Sequence, residues 1–271
     1  MVKIKLFFPK ISRDVKNKRE FVGLLMEAMR KDGSIKYAGY LKEKDLLKDL
    51  LRHTGSVDIT QYNTPSIKQK QDIKKIIHTT IQKCNKKLPV PTKNFVFVFP
   101  WFPTKNDKVF KGSFGFAAYS CVFHIFISPQ IFTRESLADS VAHELNHTIF
   151  YFYHFDRYGK HSLLDDIVTE GLAENFREEV LDKKSAPWAV ALTRKEAFEA
   201  LESMKSLLFS KNHRIRQRIL FGDTKYKRWT GYSVGYWLVK EFREKRRKFS
   251  WGKIIKTKPE DILKVVIKKK A

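Results

Sequence analysis

Two short stretches hold side chains that could do chemistry together. The first is Val141-Ala142-His143-Glu144-Leu145-Asn146-His147 and the second is Thr169-Glu170-Gly171-Leu172-Ala173-Glu174. On an α-helix, residues four apart lie almost above one another, so His143 and His147 point the same way and can share one metal ion. The pattern is H-E-x-x-H, in which Glu144 comes within reach of a water on that metal. A catalytic zinc takes three protein ligands and keeps a fourth position for water or substrate. Glu170 can complete that count. Glu174, one helical turn further on, is placed to accept the second N–H of a ligand imidazole.

Elements able to position these side chains are visible around them. Leu137, Val141, Leu145, Ile149 and Phe152 recur at spacings of four and three, a stripe that buries one side of the first helix. Thr133 or Ser136 caps it, Ser136 having Asp139 at the capping-box spacing. Ser162 and Asp165 open a second helical pattern, which runs through Leu163, Leu164, Ile167, Val168, Leu172, Ala173, Phe176 and Val180 to about Asp182. Gly171 lies inside it, where glycine costs about 1 kcal/mol against alanine. Its presence there implies close approach of another backbone or of the metal. The aromatic stretch between the helices, residues 151–161, carries His154 and His161, neither with a partner at metal spacing. Asp156 is the alternative third ligand.

The spacing of these groups resembles that of the gluzincin metallopeptidases: H-E-x-x-H, 22 intervening residues, then E-G-L-A-E. The stretch from Leu163 to Glu174 resembles, more closely, a largely uncharacterised family of predicted zinc-dependent proteases within that group. A late G-Y-x-x-G-Y stretch belongs to the same resemblance and is matched by Gly231-Tyr232-Ser233-Val234-Gly235-Tyr236. The likeness covers roughly residues 91–242. It implies Zn²⁺ held by His143, His147 and Glu170, with Glu144 as general base. It also implies a zincin-like α+β fold: a small mixed sheet whose edge strand lies beside the H-E-x-x-H helix, then a mainly helical C-terminal lobe. Gly115–Tyr119 is the expected edge, able to hold an extended peptide by main-chain hydrogen bonds. Metzincins fit less well, since Phe150 and Tyr153 stand where their glycine and third histidine belong.

The remainder of the chain reads as support. Alternation over residues 1–8 predicts a strand. Helices are expected at about Asp14–Arg30, Leu41–Leu51 and Ile67–Leu88, with loop at Gly55–Pro65. Residues 1–90 thus form a mainly helical N-terminal region and residues 91–271 the metallopeptidase domain. Within that domain strands fall in 94–128, zinc helices in 134–182 and the helical lobe in 188–271. Strands are expected at Phe95–Phe99, Val109–Tyr119 and Cys121–Ile127, and helices at 188–210 and Trp229–Phe242. His124, mid-strand among aromatic residues, is a core residue rather than a ligand, and His53 and His78 are isolated. In the last of these helices Gly231 and Gly235 are four apart, which lets another element pack close. Tyr232 or Tyr236, or His213, can donate to a developing oxyanion.

Composition limits the classes that remain. The 271 residues carry 54 Lys and Arg against 29 Asp and Glu, a formal net charge of +25. Only 15 of the basic residues are Arg, whereas readers of nucleic-acid sequence rely on Arg for bidentate base contacts. Nucleic acid or an anionic surface is therefore the less favoured partner, although residues 241–271 alone carry a net +8. Cys84 and Cys121 make neither a metal pair nor a disulfide framework. The apolar stretch at Leu6–Phe8 stops at Pro9, and no window reaches membrane length, so the expectation is cytoplasmic. The chemistry expected is zinc-assisted hydrolysis of a peptide or protein substrate by an endopeptidase. The alternative is a basic nucleic-acid- or membrane-associated binding protein with a non-catalytic zinc site.

Overall fold

Alternating β-branched and aromatic residues build a four-stranded sheet. Its strands are β1 (Val2–Leu6), β2 (Asn94–Pro100), β3 (Ser113–Tyr119) and β4 (Val122–Ile127), in the order β1-β2-β4-β3. The β1–β2 and β2–β4 pairs are parallel and β3 runs antiparallel to β4, so the sheet is mixed and β3 is an outer strand. Val122–Ile127 is buried along its whole length. A strand covered on both faces reads as a continuous apolar run. The computed structural model describes residues 2–10, 15–55, 62–157 and 159–267. These form an α+β chain of two units, one of residues 1–85 and 90–148, the other of 86–89 and 149–271.

The first unit also carries helices. These are α1 (Lys18–Lys31), α2 (Glu43–His53), α3 (Ile67–Lys87) and the first part of α4 (Arg134–Tyr153). Asn17 caps α1 by accepting the Glu20 N–H, and the expected start at Asp14 lies outside the described residues. Most of the expected 55–65 loop also lies outside them. Phe21, Leu25 and Met29 of α1 and Leu46 and Leu50 of α2 share one core with Phe97, Phe99 and Phe126 of the sheet. His124 stands edge-on to the rings of Phe97 and Phe99 and donates its Nε2–H to the Ala38 carbonyl at 3.0 Å. Burial pushes its pKa down to about 3, so it is a neutral core histidine. The strand expected from Val109 begins only at Ser113. Residues 105–110 form a 3-10 turn, and Lys111 and Gly112 both take positive φ, which breaks the extended run.

The regular structure among the second unit's described residues is helical: its α-helices after α4 are α5 (Leu163–Leu181), α6 (Arg194–Ser203), α7 (His213–Phe221), α8 (Thr230–Lys245), α9 (Trp251–Ile254) and α10 (Pro259–Ile267). The helix expected over 188–210 is shorter than its apolar spacing implies. Residues 188–192 are turn, and α6 starts only after Thr193, whose hydroxyl and the Glu196 carboxylate make a reciprocal capping box. No helix among the described residues is long and apolar enough to cross a membrane.

Candidate metal centre

The capping signal before α4 resolves in favour of Thr133. Its hydroxyl accepts the Ser136 N–H at 3.0 Å, while the Ser136 hydroxyl accepts the Thr133 N–H at 3.0 Å. Ser136 is therefore the third helical residue, not the cap. Leu137, Val141, Leu145 and Ile149 are all buried, as their spacing implies, but Phe152 at the end of the stripe is exposed. His143 and His147 consequently share the adjoining face, with their Nε2 atoms 2.9 Å apart. His143 is half-buried and His147 buried.

Glu144 is buried too, and β3 shapes its place. A methyl group on Gly115 would lie 2.2 Å from Glu144 Cγ and 2.9 Å from its Oε1. Gly115 has no positive φ, so its requirement for glycine is one of space alone. The carboxylate thus rests on bare main chain of the outer strand. Ser113 Oγ donates to Ser140 Oγ at 3.1 Å, a second tie from β3 to α4.

In the second unit, α5 is fixed at its start and along its back. Ser162 and Asp165 form the expected capping box. Burial opposes the Asp165 charge, but the Ser162 N–H and hydroxyl and the Arg157 guanidinium outweigh it and hold the carboxyl below its ordinary range. Arg157 reaches Asp165 at 2.5 Å and Glu260 of α10 at 2.8 Å. Arg216 of α7 reaches Asp166 at 2.5 Å. Further along, the α8 backbone takes the space left by Gly171: a Cβ there would lie 2.0 Å from the Gly235 carbonyl oxygen. A Cβ on Gly235 would lie equally close to the Ile167 carbonyl. Asn175 donates to both the Gly171 and Tyr236 carbonyls, at 2.9 and 3.0 Å. Close approach of another backbone is therefore what Gly171 serves. Gly231, the other glycine of α8, faces Leu220 of α7 instead.

Among the described residues, His143, His147 and Glu170 each offer a ligand atom, all within 4.8 Å of one another. Two nitrogens on one tetrahedral zinc stand about 3.3 Å apart. The 2.9 Å between the two Nε2 atoms is within a few tenths of that. Two imidazoles and a carboxylate are also the donor set of zinc sites that keep an open position. The residues present fit a zinc ion.

The other candidate groups lie outside that trio. Glu174 is buried, accepting the Trp188 indole N–H at 2.7 Å and the Arg177 Nε–H at 3.2 Å. Asp156 is exposed in a 3-10 turn. His154 bonds the Ile255 carbonyl at 2.9 Å, and burial lowers its pKa. His161 stacks on Tyr151 and lies 3.6 Å from Asp166. His213 is exposed at the start of α7. The Tyr236 hydroxyl donates to Glu178 at 2.8 Å and receives Lys240 at 2.7 Å. Tyr232 is half-buried, its ring against Phe221 and Trp229.

Sequence reasoning missed Arg177 and Trp188 as the holders of Glu174; Arg177 stands at the i,i+3 spacing of a helical ion pair, a usable signal, whereas Trp188 falls in no recognisable pattern with it. It also missed Asn175, although a polar amide inside the apolar run of α5 was a usable signal.

The α+β chain thus brings an H-E-x-x-H helix and a glutamate of the following helix together at one possible metal site. The model of the predicted Zn-dependent protease family DUF2268 matches residues 73–264, and the chain belongs to that family. It is 27% identical over 143 residues to the uncharacterized protein YjfC of Bacillus subtilis (strain 168), covering 49% of this chain and 48% of that protein. The chain thus spans about half the length of the curated relative it matches. No solved structure matches it.

Proposed function

We propose that the protein is a zinc-dependent endopeptidase with a zincin-like catalytic region over residues 91–271. The observation that carries this reading is the gathering of His143, His147 and Glu170, with the buried Glu144 carboxylate on the same helix as the imidazoles. These three side chains would hold the ion, which when bound supplies Lewis acidity, bringing a water's pKa toward about 7 and polarising the scissile carbonyl.

The chain's own groups do the rest. Glu144 accepts a proton from the attacking water at its carboxylate and returns it to the leaving nitrogen. The C–O bond forms, the C–N bond breaks, and one carboxylic acid and one amine leave. The extended substrate pairs with the outer edge of β3, whose main-chain groups hold any sequence. The narrow seat over Gly115 keeps Glu144 aimed at one position. Tyr232 donates a hydrogen bond from its hydroxyl to the carbonyl oxygen as negative charge develops there. Glu174, already oriented by Trp188 and Arg177, accepts the remaining N–H of a ligand imidazole and holds the ring in one tautomer.

Elemental analysis of the purified protein and hydrolysis of internally quenched peptides, with and without chelator, test the proposal together. Stoichiometric zinc and chelator-sensitive cleavage are expected. Glu144→Gln should retain zinc and lose turnover; a Gln variant that still cleaves at the wild-type rate removes Glu144 from the mechanism.

A further inference from the structure

Beside Glu174, one turn of α5 from Glu170, four aromatic rings form a partly open wall. Trp188 donates its indole N–H to Glu174 at 2.7 Å. Its ring lies 6.4 Å from that of Trp229, which in turn lies 5.3 Å from Tyr232 and 5.7 Å from Phe221. Phe221 and Tyr232 close the circuit at 5.9 Å. Trp188, Trp229 and Tyr232 are only half-buried, and Phe221 is 43% exposed. Such rings are ordinarily covered in a core.

The backbone at Trp229 adds a second observation. It has φ 68° and ψ 18°, a left-handed conformation at the residue that opens α8. A bulky side chain in that region is an outlier, costing on the order of 1–3 kcal/mol, and such strain gathers at functional sites. Glycine would meet the backbone requirement without strain, so what tryptophan contributes there is its ring.

Charge decides what the wall takes. Aromatic faces receive either cations or apolar groups. The guanidinium of Arg228 already stands 4.7 Å from the Trp229 ring centroid, so that ring holds a cation of the chain's own. A substrate lysine or arginine would meet like charge, whereas an aromatic or large aliphatic side chain would only displace water.

We propose that Trp188, Phe221, Trp229 and Tyr232 form a specificity pocket for a large apolar, preferably aromatic, residue of the substrate close to the scissile bond. This rests on the peptidase reading, and it makes Trp188 the link between substrate side chain and Glu174.

The test uses the zinc-loaded full chain and quenched peptides that differ only in carrying Phe, Ala or Lys at one position near the cleaved bond. The Phe peptide should exceed the Ala peptide in kcat/KM by about tenfold or more, with Lys poorest. Phe221→Ala should shrink the Phe-to-Ala ratio to about threefold or less, and Phe221→Leu should keep most of it. A wild-type ratio near one, or a ratio untouched by Phe221→Ala in protein with full zinc content, overturns the pocket.

A second measurement separates this proposal from the peptidase reading. Glu144→Gln protein is titrated with N-acetyl-phenylalaninamide and N-acetyl-alaninamide while tryptophan fluorescence is followed. Saturable response to the first alone, lost in Glu144→Gln/Phe221→Ala, supports the pocket even if no peptide is cleaved. Cleavage without aromatic preference and without fluorescence response overturns the pocket and leaves the peptidase reading intact.

Discussion

Replacing Gly115 with alanine should disable the protein without unfolding it. The new methyl group would sit 2.2 Å from Glu144 Cγ, and ordinary contact begins at 3.4 Å, so the side chain must retreat by at least 1.2 Å. The clash is with a side chain, not with backbone, and Gly115 has no positive φ to strain. Cγ lies near the base of the buried side chain, so Glu144 escapes only by changing χ1, which should lower the melting temperature somewhat without unfolding the protein. Catalysis is less forgiving. A misplacement of about 1 Å at a reacting group costs about 100-fold, or about 2.7 kcal/mol of barrier. His143, His147 and Glu170 are untouched, so zinc content should stay at the wild-type level. The assay is kcat and KM on a quenched peptide, beside elemental zinc and a thermal melt. A Gly115→Ala protein with wild-type kcat would refute the idea that bare main chain at this position sets the aim of Glu144. A protein that lost zinc or unfolded would refute the claim that the cost falls on one side chain.

Glu170→Ala should lower zinc occupancy, and competition with a chromogenic chelator should show affinity down by at least about tenfold; unchanged affinity moves the third ligand elsewhere. Gly235→Ala should destabilise the fold by roughly 2–4 kcal/mol, because its Cβ would meet the Ile167 carbonyl oxygen at 2.0 Å and neither backbone can rotate away. Denaturant titration reads this directly, and a midpoint within error of wild type would show that the helices can part freely. His124 predicts an acid-limb effect. Its folded pKa of about 3 lies below the ordinary 6.5, so between those values the unfolded chain binds a proton that the folded chain does not. Its stabilising contribution is complete above about pH 6.5 and falls by up to about 1.4 kcal/mol per pH unit below it. His124→Gln should flatten the stability–pH curve over that window; parallel curves would mean that His124 accepts its proton in the fold.

The imidazole pair was legible because helical spacing alone aligns residues 143 and 147, and no distant part of the chain is needed to do it. The capping box at Ser162 and Asp165 was legible for the same reason, as was the burial of His124 among alternating aromatic residues. Partners distant in sequence were not. The spacing showed that something must approach Gly171, but only the packed structure makes it Gly235, and only there does Trp188 meet Glu174. Local signals also competed. The apolar spacing from Trp188 argued for helix, but Thr193 and Glu196 cap one another and start α6 later. Val109 and Phe110 had strand composition, but the two positive-φ residues that follow, Lys111 and Gly112, end the turn and set the strand's first residue at Ser113. The zincin-like arrangement came from the resemblance, while the mixed four-stranded sheet and mainly helical remainder stand on the structure itself.

The meeting of Gly171 with Gly235 has a consequence for other chains of this kind. E-G-L-A-E and G-Y-x-x-G-Y, separated by a long stretch of sequence, are two halves of one contact. Neither glycine can drift on its own: a larger residue at either position evicts the opposite helix, and no change at the first can be offset while the second stays put. A homologue that kept one stretch and lost the other would have to carry the Glu170 helix on a different support.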